Sequence, residues 1–491
     1  CWIYDNNKIT IEGETSLAFT EDVGARFRAY GWNVLHVPDA NDIAKLHAAF
    51  ETFKKTKGQP TFIIVDSHIG YGSPNKQDKH SAHGEPLGEK EIELTKQAYG
   101  WTYPKFTVPD EVYSHFKQGI GSRGAKLSSE WHSLFEKYKA QYPKEADALH
   151  RIQTRELPEG WDKGLVHFPA DAKGMATRES SGKVLNEVAK HVPWLIGGSA
   201  DLAPSTKTRL TFEGAGDFSA KDYGGRNFHF GVREHSMGAI LNGMSLTKVR
   251  PYGSGFLIFS DFGRPAIRLS AIMEIPVIHI FTHDSIGVGE DGPTHQPVEH
   301  LISLRAIPGL IVLRPGDANE VVEAWRFIMK LKHEPVCLVL SRQAMPTLDR
   351  TKYAHPSGTA KGGYVLACNA PDGKPDVILI GTGSEVQMVV AAYEKLVSEG
   401  VKARVVSMPS CELFDHQSPE YRESVLPASC TARISVEQAA KIGWERYVGS
   451  HGKSIGMHTF GASAPLKHLQ TKFGFTPDAI HKAALELAGK K

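Results

Sequence analysis

Between residues 166 and 345, short apolar runs alternate with helix-like stretches, and this alternation narrows the possible folds more than any other feature of the chain. The runs are "WLIGGS", "RPYGSGF", "PVIHIFTHD", "LIVLRPG" and "PVCLVLSRQ". Between them lie "SSGKVLNEVAKHV", "EHSMGAILNGMSL", "DFGRPAIRLSAIME" and "ANEVVEAWRFIMKL". Strand–helix alternation at this spacing implies a parallel sheet with helices on both faces.

The same pattern extends to both sides. In residues 1–125, "PTFIIVDS" is a short β-branched apolar run that predicts a buried parallel strand, and "NDIAKLHAAFETFKK" predicts a helix before it. The opening "CWIYDNNKIT" reads as the end of a buried strand entering a loop of amide and acid oxygens. Residues 126–165 are polar and rich in Lys, Glu and Tyr, and predict a helix plus linker. In residues 346–491, "DVILIGTGSE" is followed by the amphipathic "VQMVVAAYEKLVSEG", with Gly400 as the expected C-cap, and then by "ARVVSMPS" and "ARISVEQ". The expected architecture is therefore α/β, with three segments each built on a mainly parallel sheet.

Composition excludes several classes. A net charge of +2 argues against a nucleic-acid or acidic-membrane partner. No apolar run reaches the length of a membrane-spanning helix. The five cysteines are scattered, which favours free thiols in a reducing compartment, cytoplasmic with a plastid not excluded, over a disulfide framework.

Several stretches could carry chemistry. Glu234 opens the apolar helix "EHSMGAILNGMSL". A solvated charge favoured by the helix dipole is the plain explanation. Flanking Gly231, Val232 and Met237 suggest instead an apolar setting, where a Glu could share a proton with a ligand nitrogen. Phe256, Phe259 and Phe262 recur three apart, a spacing that suits a core stripe or the wall of a flat heteroaromatic ligand. In "FTHDSIGVGEDGPTHQPVEH", His283, Asp284, Glu290, Asp291 and His295 follow the end of an apolar run. Open α/β sheets bind ligands at such strand ends, so a polar substrate loop is the better reading; zinc is weak because no His pair has helical ligand spacing. "WLIGGSADLAPSTKT" offers hydroxyls and amides for an anion. "KPDVILIGTGSEV" lacks a nucleotide-binding fingerprint and reads as a structural turn. His80 and His83 sit in a Gly/Pro-rich loop just past a strand, where a site and a structural role are evenly matched.

Together, "GVREHSMGAI", "THDSIGVGEDGPTHQP", "GGSADLAPS", "GYGSPNK" and "HGEPLG" resemble the blocks of transketolases, in that family's order and over essentially the whole chain. The resemblance implies a thiamine diphosphate enzyme of three α/β domains: diphosphate-binding (1–125, joined to the next by 126–165), pyrimidine-binding (166–345) and C-terminal (346–491). It implies a homodimer and transfer of a two-carbon ketol unit from a ketose phosphate to an aldose phosphate, in the pentose phosphate pathway or the reductive pentose cycle. By similarity, Glu234 meets the aminopyrimidine, and Phe256, Phe259 and Phe262 line it. Asp201, Ile11 and Ile69 are further cofactor positions. Arg178, Ser205, His283 and Arg342 match contacts to the substrate phosphate, and Asp291 matches a reader of a sugar hydroxyl. His83 and His295 match positions that touch substrate oxygens and move protons. Asn7, through its side-chain oxygen, and Ile9, through its carbonyl, match ligands of Mg²⁺ or Ca²⁺.

The metal motif of the family begins with a Gly-Asp-Gly well upstream of this asparagine, and the chain has only six residues before Asn7. The expectation is therefore a first domain that lacks its N-terminal part, with weakened cofactor binding. The alternatives are an impaired or interaction-only relative and another ketol transferase such as dihydroxyacetone synthase.

Overall fold

The computed structural model describes residues 1–490, which form two compact units, 1–133 and 134–490. The first unit holds a three-stranded parallel sheet of β1 (Trp2–Asn6), β2 (Asn33–Val37) and β3 (Thr61–Asp66), in the order β1-β3-β2. The run "PTFIIVDS" is its central strand, as expected. The opening strand is not buried: Trp2 and Ile3 are 60% and 57% exposed. The reason is its place in the sheet, since among the described residues β1 pairs with β3 alone and lies at the sheet's edge. The buried cluster here is small, made of Val37, Ala49, Ile63 and Val65.

In the second unit, β4 (Asp171–Ala176) stands apart from the main sheet. The next six strands are β5 (Leu195–Ser199), β6 (Asn227–His229), β7 (Arg250–Phe256), β8 (Ile278–Thr282), β9 (Ile311–Leu313) and β10 (Val336–Leu340). They form one wholly parallel sheet in the order β6-β5-β7-β8-β10-β9. Both faces are covered, so its strands need apolar side chains on each. Ile278, Ile280 and Leu338 pack with Val184, Leu185 and Trp325 of helices Thr177–His191 and Ala318–Lys330. Phe281, Cys337 and Val339 face the other way, against Ile267 and Leu304. Within the expected helix-plus-linker stretch 126–165, helix Pro143–Thr154 packs Ala148 and Ile152 against this sheet's core, and Trp161 is buried in it.

The strand periodicity did not reveal an antiparallel ribbon. β11 (Ala344–Thr347) pairs with β4, placing Ala344 opposite Ala176. Gly174 in β4 has φ +56°, and a Cβ there would lie 1.6 Å from the carbonyl oxygen of Met345, so the close pairing requires glycine. The last sheet contains β12 (Tyr364–Cys368), β13 (Val377–Gly381), β14 (Ala403–Ser407), β15 (Arg433–Ala440) and β16 (Lys453–Met457) in the order β12-β14-β13-β15-β16. Only β12 is antiparallel. Gly400 ends helix Val386–Ser398 with φ +81°, as the sequence predicts.

Trp325 is fully buried, and its indole N–H donates to Ser181 Oγ at 2.9 Å. Trp325→Ala is expected to destabilise this unit by about 3–5 kcal/mol, measured as a fall in the urea midpoint of its unfolding transition.

Candidate active site

Phe256 closes β7, His283 directly follows β8, and Asp201 and Arg342 lie two residues past the carboxyl ends of β5 and β10. Arg178 joins them from the first turn of the helix that follows β4. Its Nη1 donates to the Ser205 carbonyl at 2.9 Å, while its Nε is buried with no partner among the described residues. Burial, and then the nearby charge of Arg342, lowers the Arg178 pKa. His283 lies within reach of both arginines and of His295. Its ring centroid is 3.7 Å from that of Phe256, and its Nδ1 lies 2.8 Å from Thr282 Oγ1. Thus Arg178, Ser205, His283, Arg342 and His295 occupy one place. The loop after β8 is buried from Thr282 to Gly289 and is no ordinary solvated loop. It is pinned at its far end by Gln296, whose Nε2 donates to the carbonyls of Gly289 and Ala462 at 2.7 and 2.9 Å. The weak zinc reading fails, because Asp284 turns to Arg314 while Glu290 and Asp291 are exposed.

Three aromatic rings form a ladder leading away from this cluster. Phe256 and Phe259 are 5.9 Å apart and nearly parallel, and Phe259 and Phe262 are 6.2 Å apart. His295 meets Phe259 edge-on at 5.7 Å. The stripe does not vanish into a core: Phe256 is buried, but Phe262 is 64% exposed. Glu234 is half-buried at the start of helix Glu234–Leu246, and Gly263, next to Phe262, lies against it. The wholly apolar setting expected for Glu234 is only partly present. Met237 is buried, whereas Val232 is 78% exposed because it precedes the helix and packs on nothing beneath it. The flat ring wall and adjacent carboxyl fit an aminopyrimidine, with an apolar face for the ring and an acid for its nitrogen.

In the first unit, Asn7, Ile9, Asp66, His68 and Asp78 line a polar cavity of about 560 Å³. Lys8 has φ +61°, and this tight turn lets Asn7 Oδ1 accept from the Ile9 N–H at 3.0 Å. Asp66 accepts from Asn6 at 2.7 Å and lies 2.8 Å from His36 Nε2. This oxygen-rich lining suits a hard divalent cation. Ile69 is half-buried beside it, its carbonyl accepting from the Asp78 N–H at 3.0 Å. Ile11 is 73% exposed, and His83 is exposed beyond the loop that Glu91 ties down. Glu91 accepts from Ser73 and Asn75, which hold its carboxyl down at about 2.

Family models match in three consecutive stretches. They are the transketolase thiamine diphosphate binding domain over residues 1–158, the transketolase pyrimidine binding domain over 173–347, and the transketolase-like C-terminal domain over 362–476. The chain belongs to the transketolase family. It is similar to a transketolase from Geobacillus stearothermophilus, 47% identical over 99% of this chain and 73% of that one. A chloroplastic transketolase from Craterostigma plantagineum is 49% identical over 99% of this chain and 93% of that one. Among solved structures, Pichia stipitis transketolase in complex with sedoheptulose 7-phosphate superposes with a TM-score of 0.92 at 39% identity, covering 100% of this chain and 72% of that one. Transketolases are ketol-transferring enzymes that work with thiamine diphosphate, and this chain is one of that family. The expectation of a diphosphate-binding domain lacking its N-terminal part finds no support in this match, which runs over residues 1–158, and the chain spans 73% of the Geobacillus enzyme's length.

Sequence reasoning missed one residue of this transketolase site's surroundings, Arg314. Arg314 directly follows β9, and its place at a strand's carboxyl end was the available signal.

Burial first, and then the two arginine charges, pushes the His283 pKa down from 6.5 to about 3. The folded site therefore refuses a proton that the unfolded chain accepts. The resulting stability is complete above about pH 6.5 and is lost as pH falls toward 3. His283→Asn is expected to flatten this part of the pH–stability curve, read as the difference in urea midpoint between pH 7 and pH 5; His279, also pushed down, to about 4, retains part of the slope.

Proposed function

We propose that Arg178, Ser205, His283 and Arg342 bind the phosphate end of a ketose or aldose phosphate, that Asp291 reads a sugar hydroxyl, and that Glu234 acts at the cofactor's aminopyrimidine. The observation that carries this reading is the meeting of two guanidiniums and a neutral imidazole at the strand ends. Like charges brought together are unfavourable alone, and a phosphate dianion turns their repulsion into attraction. Arginine suits the task because its planar fork bonds two phosphate oxygens at once.

Thiamine diphosphate supplies a stabilised carbon nucleophile for carrying the two-carbon unit. Glu234 holds a proton toward the pyrimidine nitrogen. Phe256, Phe259 and Phe262 keep water from one face of the ring, and Asp201, Ile11 and Ile69 are the remaining cofactor contacts. His295, supported through Nδ1 by Thr294 Oγ1 at 2.9 Å, and His83 move protons to and from sugar oxygens. Asn7 and Ile9 hold Mg²⁺ or Ca²⁺ for the diphosphate. The working division is 1–125 for the diphosphate, 166–345 for the pyrimidine and sugar, and 346–491 as a C-terminal domain, with 126–165 as the connection.

The protein acts as a homodimer. In support, Ile240, Phe262, Leu269 and Ile272 on two mutually packed helices, and Val232 just before the first of them, are all exposed, apolar surface of the kind that another chain covers. Free thiols and the bacterial and chloroplastic relatives support a reducing compartment, the cytosol or a plastid. Among the described residues no helix is long and apolar enough to cross a membrane. The reaction belongs to the pentose phosphate pathway or the reductive pentose cycle.

Glu234→Gln is expected to keep the fold but slow ketol transfer by about 10²–10⁴-fold, assayed with xylulose 5-phosphate and ribose 5-phosphate; near-normal turnover at saturating cofactor would remove Glu234 from the mechanism. Arg342→Ala should raise KM for xylulose 5-phosphate much more than for hydroxypyruvate, which has no phosphate. Equal effects on the two donors would refute the phosphate assignment.

A further inference from the structure

Arg314 is fully buried and touches none of the groups assigned to the substrate. One side of its guanidinium grips Asp284, with Nη2 and Nε at 2.7 and 2.9 Å from Oδ2. The other side faces the last sheet. Nη1 donates to the Thr382 carbonyl at 2.9 Å and to Glu385, in the turn that follows β13. Gly383 in that turn has φ +54°, and a Cβ there would fall 2.6 Å from the guanidinium, so the turn is shaped around Arg314. Glu385 is itself held by the Gln438 N–H of β15 at 3.1 Å.

Asp284 is the residue after His283. His283 has φ +61°, a left-handed conformation that a residue with a side chain keeps only where its surroundings dictate it. On one side the imidazole is fixed by Thr282 and Phe256. On the other, the chain is fixed by the carboxylate of Asp284, itself only 2% exposed.

We propose that Arg314 is a positioning residue for the sugar-phosphate site: by clamping Asp284 against the β13 turn, it holds His283 in its left-handed conformation facing Arg178 and Arg342. The C-terminal sheet thereby sets the affinity for the phosphorylated substrate. The proposal rests on the assignment of His283 to the substrate phosphate.

The test is a double-mutant cycle on the full chain with thiamine diphosphate and Mg²⁺, using KM for xylulose 5-phosphate and for hydroxypyruvate. Asp284→Asn keeps the shape of the clamp and removes its charge; Glu385→Gln does the same from the other sheet and serves if the first variant does not fold. Each is expected to raise KM for xylulose 5-phosphate about tenfold, within the coupling seen in shared networks, and to leave hydroxypyruvate nearly unaffected. Combined with His283→Ala, neither should raise KM further. Additive effects, or equal effects on both donors, overturn the proposal while the His283 assignment stands. An unchanged KM in His283→Ala itself overturns both. A loss of thermal stability with unchanged KM values would reduce the clamp to a structural role and also overturn the proposal.

Discussion

A parallel sheet has a single carboxyl edge, and the site in the second unit depends on that direction. Every strand from β5 to β10 runs the same way, so each crossover helix returns the chain to begin another strand at the far edge. Residues distant in sequence therefore leave the sheet side by side: Phe256, His283, Arg314 and Arg342 each follow or close a strand. Apolar side chains on both faces keep the strands themselves occupied with packing. Chemistry is left to the residue that comes just after each strand, where the backbone is free to turn and the side chain need not enter a core.

Burying charge at that edge is costly unless each charge finds partners. Two networks meet this need between β9 and the last sheet. Arg305 and Glu437 form a two-pronged pair at 2.8 and 2.9 Å, beside Arg314 with Asp284 and Glu385. Arg350 pairs with Asp317 at 2.7 Å, near Glu320, which accepts from Tyr364 and Ser407, both at 2.7 Å. Such networks are sensitive to loss of one member, since a partner left behind is a buried unpaired charge. They make the packing of the last sheet on its neighbour a matter of defined geometry more than of apolar area.

Strands and helices that obey a clean period were legible in the sequence. "VIHIF" and "VCLVL" are apolar throughout because both faces are covered, and helix Glu234–Leu246 coincides with its apolar stretch. Elements defined by pairing were not legible. β6 has three residues, and the β4–β11 ribbon joins segments far apart in sequence, so neither has a local pattern. β1 looked buried because Trp2 and Ile3 are large and apolar, but exposure depends on which strand lies next to it. Among site residues, those carried by the resemblance, such as His283 and Arg342, could be named in advance. Arg314's place at the end of β9 was legible, but its role was not, because that role lies in contacts with a turn near residue 383 that no spacing announces.

The ribbon of β4 and β11 has a geometric consequence. Ala176 lies opposite Ala344, and beyond that pair Thr177 and Ser341 are cross-tied, with each backbone N–H donating to the other's hydroxyl at 3.0 and 2.7 Å. Arg178 opens the helix that follows β4, and Arg342 lies in the short bend between Ser341 and Ala344, so the ribbon and its cross-tie hold the two cations like the jaws of a caliper. The opening between them is then a property of strand register, adjustable only in whole steps. Because strand pairing shifts in whole residues, a slip of one would break the Thr177–Ser341 tie that sets the two arginines. The spacing of the two cations is in this sense digital, insulated from the small continuous movements of the loops around it.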